Sequence, residues 1–128
     1  MGMSPRTLPV LTRQELALMK VVWRSGHATV REVYEALRLE RTVAYTTVMT
    51  MLNMLESKGY LRKEQEGRAF RYHPTQPERR VMTALVRDFV DRVFDGAATP
   101  LLAHLVTDTR LSKSERETLR RLIDEVRS

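Results

Sequence analysis

Between residues 44 and 71 the chain carries two groups of side chains suited to meeting a polyanion. Ala44, Tyr45, Thr46, Thr47 and Thr50 open a stretch of helical periodicity, and Arg62, Lys63, Arg68 and Arg71 follow it closely. Threonine hydroxyls on the outward side of a helix's first turns bond to phosphates or base edges, and their methyls can meet a thymine methyl. The free backbone amides of a first turn also favour a phosphate. Four cations in a short hairpin can grip flanking phosphates or place an arginine in a narrow minor groove. Arg68, beside the turn, is the best placed of them, while Arg41, with Arg38 in the turn before the helix, can reach the same backbone. Each group also has a plainer explanation. The threonines could be ordinary polar surface, and Glu64 and Glu66 could simply pair with the hairpin cations.

No other chemistry competes with this. His27, His73 and His104 lie far apart and lack metal-ligand spacing, and there is no cysteine, so no metal site is expected. No Gly-rich phosphate loop, nucleophile elbow or paired-carboxylate arrangement occurs, so neither an enzyme nor a cofactor is implied. The net charge of +6 is unevenly spread: residues 1–74 hold 12 Lys/Arg against 7 Asp/Glu, whereas residues 75–128 hold 10 against 9. The excess sits where the candidate contacts are. No apolar run approaches the roughly 20 residues that span a bilayer. MGMSPRTLPV is too short and polar for a secretory segment and reads as a frayed lead-in. These features fit a cytoplasmic protein with no membrane insertion.

Helices and a hairpin must position these side chains. Thr12 with Glu15, and Thr29 with Glu32, read as capping boxes opening two amphipathic helices, with Leu11 and Leu16 as a staple around the first. Leu16, Met19 and Trp23 follow at helical spacing up to Gly26, and Val33 and Leu37 face inward in the second helix. A third helix runs from Ala44 to Lys58 with Gly59 as its C′ residue. Its periodicity gathers Tyr45, Val48, Met51, Leu52 and Leu55 on one face. Thr46, Thr50 and Asn53 fall opposite, with Thr47 and Met54 on the flank. Residues 60–65 and 68–73 then bracket Glu66-Gly67 as a hairpin closed by Pro74.

Past Pro74 the pattern is helical throughout. Thr75 with Glu78 reads as a third capping box, with Pro77 in the first turn. The helix carries Val81, Leu85, Phe89 and Val93 on one stripe and Met82, Val86, Val90 and Phe94 on its neighbour, and Asp95-Gly96 stops it. A short helix runs from Leu101, with Leu102, to Val106. A last one opens at Ser112 with Glu115 and contains Leu119, Leu122, Ile123 and Val126. The expected fold is mainly α with a small β-hairpin: a winged helix-turn-helix over residues 1–74 and a helical dimerisation region over residues 75–128. So small a tail buries too little surface alone, and its double-width apolar face is expected to pack on the same segment of a second chain. Leu85, Phe89 and Val93, Leu101 and Leu102, and Leu119, Leu122, Ile123 and Val126 are the expected contacts. The alternative is a monomer whose tail folds back on the first module, which leaves the last helix little to cover.

The blocks Leu16-Ala17-Leu18-Met19-Lys20-Val21-Val22-Trp23, Tyr45-Thr46-Thr47-Val48-Met49-Thr50-Met51-Leu52, Lys58-Gly59 and Glu66-Gly67-Arg68-Ala69-Phe70-Arg71-Tyr72 resemble the penicillinase-repressor (BlaI/MecI-type) family in order and spacing. The resemblance spans residues 11–126. It implies a homodimeric repressor on a pseudo-palindromic double-stranded DNA operator. It also implies a membrane-bound sensor metalloprotease as a further partner, cutting an Asn-Phe bond in the short fifth helix. Here that place is held by Ala103-His104. Some members have a basic residue where this chain has Thr46, and many have arginine where it has Met54. The copper-responsive branch carries C-terminal cysteines, which this chain lacks. The alternatives to a sequence-specific repressor are a winged-helix module that binds protein and a nonspecific architectural DNA binder, which would bind with salt dependence but no preferred site.

Overall fold

The structure, a computed structural model, describes residues 8–107 and 111–127, without the side chains of Val126 and Arg127. Nine elements follow in the order α1 (Arg13–Ser25), β1 (Ala28–Thr29), α2 (Val30–Leu37), α3 (Tyr45–Ser57), β2 (Leu61–Glu66), β3 (Ala69–Pro74), α4 (Glu78–Phe94), α5 (Ala98–Thr107) and α6 (Lys113–Arg127) among these residues. The fold is mainly α with a small antiparallel sheet, the winged-helix order expected from the sequence.

Local signals set most boundaries. Thr12 and Glu15 close a reciprocal capping box at α1, as do Thr29 and Glu32 at α2, so each helix start satisfies two orphan amides through a threonine and a glutamate three residues apart. Gly59 ends α3 at φ 90°. Its amide bonds the Glu56 carbonyl at 3.1 Å and the Tyr60 amide bonds the Leu55 carbonyl at 3.0 Å, a Schellman closure. Ser112 and Glu115 box the start of α6.

Five expectations are corrected. The sheet has three strands, in the order β1-β3-β2, because Ala28 and Thr29 pair with Tyr72 and Arg71. The hairpin turn is Gly67-Arg68, one residue later than Glu66-Gly67, since Glu66 already pairs with Ala69. Gly67 has φ 62° while Arg68 does not share the positive φ, the signature of a II′ hairpin turn. Thr75 and Glu78 form no capping box: the Thr75 hydroxyl donates to the Gly59 carbonyl at 2.6 Å, and the Pro77 carbonyl receives the Arg80 and Val81 amides. Leu8, Pro9 and Val10 are tied down: the Tyr60 hydroxyl donates to the Pro9 carbonyl at 2.6 Å and Lys58 Nζ to the Val10 carbonyl at 3.2 Å. Residues 1–7 of the expected lead-in lie outside the described residues. Finally, α5 starts three residues before Leu101.

The chain divides into two compact units with the boundary between Leu85 and Val86, inside α4. Among the described residues, every buried hydrophobic one belongs to the first unit. Leu18, Met19 and Val22 of α1, Val33 and Leu37 of α2, and Val48, Leu52 and Leu55 of α3 pack with Tyr60, Leu61 and Tyr72 of the sheet and Val81 of α4. In α1 the buried stripe is therefore Leu18-Met19-Val22, with Leu16 half-buried. Trp23 Nε1 donates to the Gln76 carbonyl at 3.0 Å, fixing α1 to the connection that leads into α4.

Candidate nucleic-acid interface

Helix α3 is held by one side only. Val48, Leu52 and Leu55 are fully buried, while Thr46, Thr47, Thr50 and Asn53 face solvent. Ala44 occupies the N-cap with extended backbone and no side-chain hydrogen bond, so no side chain among the described residues caps the first-turn amides. The Thr46 and Thr47 hydroxyls make no hydrogen bond among the described residues. The Thr50 hydroxyl donates to the Thr46 carbonyl at 2.9 Å, which leaves its methyl and oxygen lone pairs outward. Tyr45, placed inward by periodicity, is 42% exposed and rests edge-on against Tyr34 with centroids 5.4 Å apart. As the first residue of α3 it lies at the edge of the core, against the Tyr34 ring of α2.

The hairpin sorts its four cations by face. Side chains of directly paired residues share a face, and the register pairs Lys63 with Tyr72 and Gln65 with Phe70 on one side, and Arg62 with His73 and Glu64 with Arg71 on the other. Lys63 lies on the side toward α3, with Nζ 4.9 Å from the Phe70 ring centroid. Arg68 sits in the two-residue turn at the wing tip, exposed and without an ion pair among the described residues. Arg62 and Arg71 lie on the far side and are paired. Arg62 is 3.6 Å from Glu64. Arg71 reaches Glu66 at 2.5 Å, Glu32 of α2 at 3.0 Å and His27 Nδ1 at 3.0 Å.

The charges of this network act on one another. Glu66, with Glu32, raises the Arg71 guanidinium above its ordinary value. The Thr29 amide, with Arg71, holds Glu32 below the usual carboxylate range. Arg71 thus joins the wing to α2, a contact missed in the sequence because Glu32 is 39 residues away. A second tie is Tyr72, whose hydroxyl donates to Asn53 Oδ1 at 2.8 Å and so fastens the wing to α3.

Arg41 is exposed in the connection before α3, and its amide bonds the Leu37 carbonyl at 3.1 Å. Neighbouring Arg38 stacks over Tyr34 at 5.6 Å and lies 3.5 Å from Glu35. The structure therefore brings Thr46, Thr47, Thr50, Lys63 and Arg68 to the α3 and wing-tip surface, and turns Arg62 and Arg71 away from it. Among the described residues no group of three or more His, Asp or Glu is arranged to hold a metal ion.

In the second unit no described residue is buried. Phe89, Val93, Leu122 and Ile123 are exposed at 41%, 51%, 53% and 41%, and Leu101, Leu102 and Leu119 are half-buried. Leu85 packs against the core of the first unit, and the Val126 side chain lies outside the described residues. Ala103 and His104 are exposed within α5, and the His104 ring lies 5.9 Å from that of Phe94. No helix of the described residues is long and apolar enough to cross a membrane.

Comparison with known proteins agrees with this architecture. A family model described as penicillinase repressor matches residues 11–125. The chain is 28% identical over 120 residues to the penicillinase repressor of Bacillus licheniformis, covering 94% of each. It is 36% identical over 114 residues to the transcriptional regulator BlaI of Mycobacterium tuberculosis, covering 88% of this chain and 81% of that one. Among solved structures it is similar to the DNA-binding domain of the repressor BlaI, with TM-score 0.52 and 35% identity over 61% of this chain and 90% of that one. It is also similar to the monomeric form of Bacillus licheniformis BlaI in complex with the blaP half-operator, with TM-score 0.50 and 36% identity over 56% of this chain and 88% of that one. The chain belongs to the penicillinase repressor family.

Proposed function

We propose that this protein is a transcriptional repressor that binds operator DNA as a homodimer and acts by occupancy rather than catalysis, in the cytoplasm. The observation that carries the proposal is the one-sided anchoring of α3, which leaves Thr46, Thr47 and Thr50 outward beside the uncapped first turn. Such a helix enters the major groove with its N-terminal residues at the base edges. Arg68 and Lys63 then meet the flanking backbone or minor groove, and Arg41 meets the phosphates before α3. The half-operator complex of the Bacillus licheniformis relative supports this reading. Residues 75–128 supply the dimer contacts, since the exposed apolar side chains of the second unit need a partner.

Operator release follows a cut in α5 near Ala103–His104 by a membrane-bound sensor metalloprotease, which leaves α4 on the DNA-binding part but removes α6 with Leu122 and Ile123 and so weakens the dimer. Binding-site selection from random duplexes with the full chain tests the function. The expected result is a two-fold symmetric motif with half-sites about one helical turn apart, or a multiple of it. Salt-sensitive binding without any selected motif would overturn it in favour of nonspecific binding.

A further inference from the structure

Between α3, the start of α2 and the wing lies a cleft of about 530 Å³, within the size range of small-molecule sites. Tyr45, Met49 and Phe70 line it and are 42%, 39% and 41% exposed, with the buried Tyr72 ring among its walls. Its charged lining is Arg31, Lys63 and Arg68, with no carboxylate. Asn53 adds a fixed polar group: its Oδ1 receives the Tyr72 hydroxyl at 2.8 Å, so its amide nitrogen is left as a donor.

Three exposed apolar side chains around one concavity leave hydrophobic surface that a sugar-phosphate strand does not use. Two rings and a thioether suit the faces and edges of a planar aromatic body, and three cations without an acid suit an anionic group on it. We infer that this cleft binds a small planar aromatic carboxylate, its ring between Tyr45, Met49 and Phe70 and its carboxylate at Arg31 and Lys63. The inference rests on the repressor reading in one respect. Lys63, Arg68 and Tyr45 belong to the proposed DNA-facing surface, so the occupied cleft excludes operator DNA and the ligand acts as an inducer.

The test is a titration of the isotopically labelled full chain, without DNA, with 2-naphthoate as the probe. Its uncharged alcohol analogue, octanoate and inorganic phosphate serve as comparisons. Saturable amide shifts at Met49, Asn53 and Phe70 are expected, with the alcohol at least about ten-fold weaker because it forgoes the charge-assisted bonds. The exposed substitutions Arg31→Gln and Lys63→Gln together should weaken 2-naphthoate by a similar factor, and the parent amide spectrum elsewhere reports intact folding.

Unsaturable shifts, equal binding of the alcohol, or the same shifts from phosphate alone overturn the site. Tighter binding of octanoate overturns the aromatic class. A second arm measures displacement of a fluorescent operator duplex by 2-naphthoate, and retention of the duplex on the saturated protein overturns the inducer role. Operator binding without any probe tests the repressor function by itself, so failure of one leaves the other standing or falling on its own data.

Discussion

Lys58 Nζ lies 2.8 Å from Glu15 Oε1, joining the first turn of α1 to the end of α3 across 43 residues. Glu15 is only 2% exposed, and its second oxygen has no hydrogen-bond partner among the described residues. Lys58→Met should therefore leave a buried carboxylate without its counter-charge. A fully buried pair loses about 3–5 kcal/mol when one partner goes. The Lys58 side chain keeps 23% exposure, so a loss of about 2 kcal/mol is expected. Urea unfolding of the variant and parent at neutral pH measures it, and an unchanged midpoint would remove the pair from the list of stabilising contacts.

The same pair makes stability depend on pH. Burial pushes the Glu15 carboxyl up, but Lys58 and the Thr12 amide and hydroxyl outweigh it, so the folded value lies below the ordinary 4.5. A lowered folded value means the unfolded chain binds the proton more readily. The contribution of Glu15 is thus complete above pH about 4.5 and is lost as pH falls through the lowered folded value. Between about pH 5 and pH 3 the parent should lose more stability than Glu15→Gln, as followed by urea midpoints at each pH.

Arg68 and Arg71 should part company in DNA titrations. Arg68→Ala at the wing tip removes the phosphate contact proposed for it, so affinity should fall evenly across sequences and the salt slope should drop by about 1. Arg71→Ala acts by releasing the wing from Glu32 of α2 and should weaken operator binding by only a few-fold. In the Arg71 variant the amide resonances around His27 and Glu32 should also shift without any DNA. Fluorescence anisotropy over a salt series reads the first effect, and spectra of the free protein read the second.

Among the threonines, Thr47 should matter more for sequence than Thr50. The Thr50 hydroxyl is already engaged by the Thr46 carbonyl, so Thr50→Val should keep affinity within about two-fold while preserving the methyl. Thr47→Ala should reduce discrimination at one base pair per half-site by about 1 kcal/mol. Competition between single-mismatch duplexes measures both.

The second unit offers a test of assembly. Phe89→Glu or Ile123→Glu puts a charge on its exposed apolar surface and should shift the protein to monomers in sedimentation velocity. Melting of the first unit should stay close to that of the parent, since neither residue is a member of its core.

What the sequence revealed follows from range. Capping boxes at Thr12, Thr29 and Ser112 and the Gly59 closure depend on residues within five positions of each other, so they could be read directly. The family motifs were equally legible, and with them the class of fold. Strand β1 was not, because two residues carry no periodicity and their pairing with Tyr72 and Arg71 is long-range. The wing shows how small an error matters. Moving the turn by one residue, from Glu66-Gly67 to Gly67-Arg68, leaves the faces as they were but changes the partners: Arg71 stands opposite Glu64 instead of Arg62, and Arg68 passes from a strand into the turn. Four apparently equivalent charges thereby separate, with Arg68 free at the tip and Arg71 bound to Glu66 and Glu32. Tyr45 escaped inward placement because helical periodicity knows the angle of a side chain but not whether anything stands opposite it.

The hydrogen bond from Tyr72 to Asn53 has a consequence for how such a regulator diversifies. It clamps wing and recognition helix into a single tool whose grip is independent of the three threonines that would read the bases. Exchanging Thr46, Thr47 or Thr50 changes the message while leaving the handle intact. A lineage of duplicated repressors could thus acquire separate operators through a few surface substitutions, with no need to rebuild the frame that presents them.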